Sequence, residues 1–278
     1  MSVPRLILNT GAEIPQFGLG TYKLGPHNTA EIVEQAAHLG YRHFDTAQMY
    51  GNEAEVAQGI RNSGIPREEF FVTSKLLPAN HLAADAKASF AQSLEKMQFD
   101  YVDLFLIHWP MPHLYDGDFP ATWRVLEEFY AQGRAKAIGV SNFMEHHLER
   151  LLAETDVVPA VNQVESHPHL QLPKLHEFCA DKGILVEAWS PLARGRVFDE
   201  PAIVQIAAEH GKTPSQVTLR WALQRGDIVF PKTESVDRLA ENFAVFDFEL
   251  SAEQVAAIDA LDRGEGGRLG PHPDQMGK

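Results

Sequence analysis

A single cysteine, Cys179, occurs in 278 residues, so no disulfide can form within the chain and a reducing compartment suits it. The amino terminus, MSVPRLILNTG, lacks the apolar run of a signal peptide, and the longest apolar strand, VDLFLIHWP, is far too short to span a bilayer. Basic charge is scarce as well: 24 Lys and Arg against 38 Asp and Glu give a formal net charge of -14. A long nucleic-acid footprint needs clustered cations to replace counterions, and this balance argues against one. The expectation is a cytoplasmic protein with no membrane or nucleic-acid partner. With 44% hydrophobic and 22% charged residues, it can bury a substantial core.

Eight short apolar runs alternate with helical patterns: FGLGT from position 17, YRHFDTA from 41, FFVTSK from 70, VDLFLIH from 102, AKAIGVSN from 135, PAVNQVES from 159, GILVEAWS from 183 and DIVFPK from 227. Their near-continuous hydrophobicity suits parallel strands covered by helices. Helix punctuation lies between them. Asn28 precedes Glu31 in a cap-like pattern that Gly40 ends, Thr213-Pro214-Ser215-Gln216 combines a capping box with proline at the first helical position, and Ser251 to Gln254 opens another helix. The pattern predicts an α/β fold, a single (β/α)8 TIM-barrel domain over residues 1–278, with a doubly wound open sheet as the alternative. RLILNTGAEIPQ reads as a β-hairpin turning at Asn9, Thr10 and Gly11, placed as a plug under the barrel. The Pro- and Gly-rich end, DRGEGGRLGPHPDQMGK, reads as a short irregular loop over the mouth.

Side chains at the carboxyl ends of barrel strands converge on one site. Asp45, Lys75 and His108 each close a strand candidate, and Tyr50 follows Asp45 on the next loop. A phenol has a reference pKa near 10, so acid-base work requires a tuned environment. A lysine ammonium favours phenolate, and an aspartate holds that ammonium charged when water is excluded. A histidine at the same point can donate to a carbonyl oxygen where charge develops as hydride reaches the carbon. The constellation predicts carbonyl reduction, with Trp109 as a pocket wall.

The motifs GLGTYKL, GYRHFDTAQMYGNE, TSKL, YVDLFLIHWP, IGVSNF, VNQVESHP, WSPLARG and PKTESVDRLAENF, in this order and spacing across nearly the whole chain, resemble the aldo-keto reductase superfamily. The resemblance is strongest to its prokaryotic 2,5-diketo-D-gluconate reductase group. It implies that Asp45, Tyr50, Lys75 and His108 are the catalytic tetrad, with Tyr50 the proton donor, Lys75 and Asp45 tuning it, and His108 orienting the carbonyl. No G-x-G-x-x-G follows a strand, which disfavours a Rossmann site. The resemblance implies a barrel-bound nicotinamide instead. Ser141, Asn142 and Gln163 would hold its carboxamide and Trp189 would stack on the ring. Ser190, Leu192 and Gly195 would line the pyrophosphate path, with Gly20 and Thr21 also in contact with the cofactor.

Lys232, Thr233 and Arg238 surround a predicted helix start near Ser235, an arrangement suited to the 2′-phosphate of NADPH. The family match adds Asn242 and Glu241 near the adenosine. Glu234 places a carboxylate beside Lys232 that could accept from the unphosphorylated ribose of NADH, so NADH stands as the weaker cofactor. Tyr22 and Met49 join Trp109 as candidate substrate-pocket residues, and the short tail implies an open mouth and broad specificity. The substrate class implied is small aldehydes, α-dicarbonyls or keto-sugar acids, and the family leans towards a monomer.

Each residue alone has a structural explanation, a packed tyrosine or an ordinary ion pair, and only the joint placement carries the reading. Two other classes compete with it. One is a catalytically silent NADP(H)-binding regulatory module on the same fold. The other is a metal-dependent hydrolase, disfavoured because FGLGT carries no H-x-H, and because His146-His147 and His167-Pro168-His169 lack acidic or cysteine partners at metal spacing. Those histidines are expected to be solvated on the surface, and no metal is expected.

Overall fold

The computed structural model describes residues 3–278. All eight predicted runs form strands of one parallel sheet: β3 (Leu19–Gly20), β4 (His43–Asp45), β5 (Phe71–Leu76), β6 (Val102–Ile107), β7 (Ala135–Ser141), β8 (Val161–Glu165), β9 (Leu185–Trp189) and β10 (Ile228–Val229), in sequence order around the sheet. The sheet closes on itself, because the Gly18 amide donates to the Val229 carbonyl at 2.9 Å and the Val229 amide donates to the Gln16 carbonyl at 3.0 Å. Closure therefore selects the TIM barrel over the open sheet.

Glycine lets the strand region around β3 approach its neighbours on both sides. A Cβ on Gly18 would stand 2.7 Å from the His43 carbonyl oxygen, and one on Gly20 would stand 2.6 Å from that of Phe230. Among the described residues ten helices cover the barrel: α1 (Thr29–Leu39), α2 (Glu53–Asn62), α3 (Ala83–Met97), α4 (Phe119–Ala131), α5 (Glu145–Glu154), α6 (Pro173–Asp181), α7 (Pro201–His210), α8 (Pro214–Gln224), α9 (Val236–Phe243) and α10 (Ala252–Asp259). The boxes at Thr213 and Ser251 form as predicted, and Gly40 ends α1 with φ 108°. Asn28 differs: it occupies the N-cap of α1, at φ -120° and ψ -10°, without a side-chain cap bond.

The hairpin pairs β1 (Arg5–Ile7) with β2 (Glu13–Pro15) and turns at Gly11 with φ 83°. Leu8 and Ile14 enter a cluster with Phe71, Leu104, Leu106, Ala137, Val161 and Ile228, and Asn9 Nδ2 donates to the Pro159 carbonyl at 3.0 Å, just before β8. The hairpin thus plugs the amino-terminal end of the barrel, with about 1.5–3 kcal/mol from each fully buried aliphatic side chain. The larger apolar cluster lies between strands and helices. The carboxyl-terminal half of the barrel interior is polar, and the tail after Asp262 crosses that end in two short 3-10 turns, Gly264–Gly267 and Pro273–Gln275. No helix among the described residues is long and apolar enough to cross a membrane.

Candidate active site

Asp45 is the last residue of β4, Lys75 the penultimate residue of β5, and His108 follows β6 directly. Tyr50 ends a 3-10 turn, Gln48–Tyr50, that Gly51 stops with φ 68°. Lys75 is fully buried and its ammonium uses all three hydrogens: Nζ donates to Asp45 Oδ1 at 2.7 Å, to the Thr46 carbonyl at 2.9 Å and to Tyr50 Oη at 3.3 Å. Burial opposes the Lys75 charge, but Asp45 and Tyr50 beside it prevail and raise its pKa. Burial, partly offset by Lys75, pushes the Tyr50 phenol up to about 12. A phenol raised in this way keeps its proton, as the proton-donor role expected of Tyr50 requires. Burial, with Lys75 adding to it, pushes the His108 pKa well below the usual histidine value. The imidazole is neutral, and its ring stands edge-on to Tyr50 with centres 5.8 Å apart.

The three residues assigned to a carboxamide come together at the ends of β7 and β8. Ser141 Oγ donates to the Gln163 carbonyl at 2.9 Å, and Asn142, at φ 65°, donates its amide to the same oxygen at 2.8 Å. Asn142 Nδ2 donates to the His108 carbonyl at 2.9 Å, while its Oδ1 accepts from Trp189 Nε1 at 2.8 Å. The indole is thereby pinned by the group that would hold the carboxamide. Left-handed backbone at Ser190, Ala193 and Arg194 follows Trp189, and such conformations cost free energy that functional loops commonly retain. Gly195, at φ 85°, has Phe198 at ordinary contact distance, and Leu192 packs partly buried on the core.

After β10, Ser235 caps α9 by accepting from the Arg238 amide, and Thr233 Oγ1 accepts from the Ser235 amide at 3.0 Å. Lys232 is held by Glu234, so the carboxylate noticed in the sequence does meet the lysine. Glu241 Oε1 accepts from Thr213 Oγ1 at 2.8 Å and Asn242 Oδ1 accepts from Ser215 Oγ at 3.0 Å. Both fasten α9 to α8, which leaves the Asn242 amide nitrogen for a ligand. The Thr21 hydroxyl is spent on the Asp45 carbonyl at 2.9 Å.

The aldo/keto reductase family model matches residues 16–263. The chain belongs to that family. A glyoxal reductase of Bacillus subtilis (strain 168) is 47% identical over 97% of this chain and 96% of its own length. The methylglyoxal reductase DkgA of Escherichia coli (strain K12) is 41% identical over the whole of both chains. Among solved structures, Gox0644 in complex with NADPH superimposes with a TM-score of 0.94 at 41% identity, covering 99% of each chain. A Bombyx mori aldo-keto reductase in complex with NADP gives 0.88 at 34% identity, covering 95% of this chain and 94% of its own.

In this family member the mouth is asymmetric. Tyr22, 50% exposed, and Met49, 45% exposed, form one open side, with the Tyr22 ring 5.0 Å from that of Tyr50, whereas Trp109 is 7% exposed. The other side is covered by the tail. The Leu269 and Gly270 amides donate to the two oxygens of Glu165 at 2.8 and 2.9 Å, and a Cβ on Gly270 would stand 2.5 Å from the Trp189 ring.

The histidine pairs require a correction. His147, His167 and His169 are buried under the tail rather than solvated, and each has an acidic partner: Asp274, Glu165 and Glu200 respectively. His146 and His147 both direct Nε2 to Asp274 Oδ1, at 3.0 and 3.3 Å. His147 Nδ1 accepts from the Met144 amide at 3.1 Å, so its proton sits on Nε2 and is donated to Asp274. That arrangement is a hydrogen-bonded latch on the tail.

Residues that sequence reasoning did not single out include Glu165, a buried acid that ends β8, Glu187, a buried acid in the middle of β9, and Asn52. Asn52 Nδ2 donates to the Thr21 carbonyl at 2.9 Å and its Oδ1 accepts from Thr46 Oγ1 at 2.9 Å. It ties the Tyr22 loop to the β4 loop. The available signal was a carboxylate inside an otherwise apolar strand run, as in GILVEAWS and VNQVES.

Proposed function

We propose that the protein reduces small α-dicarbonyls and aldehydes with NADPH, with keto-sugar acids such as 2,5-diketo-D-gluconate within its range and NADH as a weaker cofactor. The carrying observation is the contact of one buried ammonium, Lys75, with both Asp45 and Tyr50 at the floor of the mouth. The polar set on β7 and β8, with an indole fixed beside it, fits a nicotinamide carboxamide, and the basic residues around the capped start of α9 fit a 2′-phosphate. When bound, NADPH supplies hydride to the carbonyl carbon.

The chain's residues do the rest. Ser141, Asn142 and Gln163 orient the carboxamide and Trp189 presents one face for stacking. His108, neutral through burial, donates to the substrate oxygen without bringing a competing charge. Tyr50 keeps its proton until an alkoxide develops within reach and then gives it up, and the adjacent Lys75 ammonium stabilises the phenolate left behind. Asp45 keeps Lys75 charged. The open side at Tyr22 and Met49 supports a range of small substrates. The names of the two curated relatives, glyoxal and methylglyoxal reductase, support α-dicarbonyls in particular.

The test is loss of NADPH absorbance over a panel of aldehydes, α-dicarbonyls and keto-sugar acids, with Tyr50→Phe as control. A positioned general acid contributes roughly 10²–10⁴-fold, so Tyr50→Phe should lower kcat by at least about 100-fold while NADPH affinity stays within about twofold. Unchanged turnover would remove Tyr50 from the mechanism. Tight NADPH binding without turnover of any substrate would favour the silent binding module.

A further inference from the structure

Glu187 sits in the middle of β9, wholly buried in the barrel interior, opposite Gln163 of β8. Its Oε2 accepts from Gln163 Nε2 at 2.9 Å, and the same nitrogen donates to Asp45 Oδ2 at 2.9 Å. Both amide hydrogens of Gln163 are thereby committed to carboxyl groups. The opposite amide orientation would set Oε1 against two acids, so the neighbours decide which way the amide faces. What remains of that amide is Oε1, an acceptor, at the place where the proposed function puts the carboxamide NH2.

We propose that Glu187 is a positioning residue which, through Gln163, joins the Asp45–Lys75 pair to the nicotinamide carboxamide pocket. The inference rests on the proposed function for the identity of the ligand. Two carboxylates on one amide nitrogen would repel each other, and Lys75 touches Asp45 alone, so Glu187 carries the proton. Burial first, and the nearby Asp45 charge second, push its pKa up to about 8. The groups facing it are Asp45, Lys75 and His43. His43 stays neutral, since burial lowers its pKa to about 3. His43 Nδ1 lies 3.2 Å from the Pro15 carbonyl, and its Nε2, 3.3 Å from Thr73 Oγ1, stands 3.9 Å from Glu187 Oε1. Glu187 Oε1 is buried and makes no hydrogen bond. The hydrogen-bonded chain runs Tyr50, Lys75, Asp45, Gln163 and Glu187.

A neutral amide reproduces the neutral acid, and an apolar side chain does not. The experiment measures NADPH dissociation constants by cofactor fluorescence, together with kcat and KM, for Glu187→Gln and Glu187→Met, the latter chosen because it keeps volume and leaves no buried charge. The expected result is NADPH affinity within about twofold of wild type for Glu187→Gln and about tenfold weaker for Glu187→Met, the scale of one misplaced hydrogen bond. In the wild type, affinity should weaken as pH rises through about 8, where Glu187 ionises beside Asp45. Glu187→Gln should abolish that dependence, and this readout survives even if the methionine variant fails to fold. Equal affinity in all three proteins, equal damage from Gln and Met, or the same pH dependence in Glu187→Gln as in wild type would each overturn the proposal while leaving the reductase reading intact. Failure of the wild type to bind NADPH would overturn both.

Discussion

Replacing Asp45 by Asn removes a charge and almost no volume, and the structure says what that charge does. Lys75 is fully buried, and Asp45 is the only carboxylate it touches among the described residues. Without that partner, burial dominates and the folded-state pKa of Lys75 drops below its unfolded value near 10.4. The variant then either holds an uncompensated charge, at a cost of about 3–5 kcal/mol, or releases the proton. At about 1.36 kcal/mol per pH unit, release at pH 7 costs about 4.6 kcal/mol, and at pH 9 about 1.9 kcal/mol. The smaller of these routes limits the loss.

In the wild type, the raised Lys75 pKa contributes stability that is fully present below the unfolded pKa and fades only as pH rises through the higher folded one. In Asp45→Asn the sign reverses, and the deficit shrinks as pH climbs towards about 10. Urea unfolding at pH 7 and pH 9 measures it directly. We expect a loss of about 3–5 kcal/mol at pH 7 and about 2 kcal/mol or less at pH 9, with Lys75→Met restoring part of the loss when added to Asp45→Asn. A deficit below about 1 kcal/mol, or one that is the same at both pH values, would refute the account of a buried ammonium held by Asp45.

Three further outcomes follow from other parts of the molecule. Arg238→Ala should weaken NADPH by about tenfold, the scale of a charge-assisted hydrogen bond, and leave NADH almost unchanged; equal losses in fluorescence titrations would show that Arg238 does not read the 2′-phosphate. Thr213→Ala removes the cap of α8 and the bond to Glu241, a loss of about 1–2 kcal/mol that thermal melting should show and Thr213→Ser should largely avoid. Gly270→Ala puts a Cβ against Trp189 and should raise hydrogen exchange at the Leu269 and Gly270 amides; exchange as slow as wild type would mean that Trp189 yields instead of the tail.

The alternating strands and the places of Asp45, Tyr50, Lys75 and His108 were legible in local order, and closure at Gly18 and Val229 then chose the barrel over an open sheet. An apolar strand ends where its polar side chain begins, and parallel strands repeat that offset, so residues far apart in sequence must share one rim. The hairpin turn and the helix starts at Thr213, Ser235 and Ser251 were legible for the same reason: turn and cap chemistry acts within three or four residues. The rest depended on long-range packing. Whether Tyr50 is phenol or phenolate depends on how fully the barrel buries it against how close Lys75 comes. His147 gained an acidic partner because the tail brings Asp274 back across 127 residues, while His167 and His169 meet Glu165 and Glu200 as buried groups. The role of Glu187 is invisible in GILVEAWS and appears only when β8 sets Gln163 beside it. Burial and long-range pairing fix the charge state of a group, and neither is a property of the residues next to it in the chain.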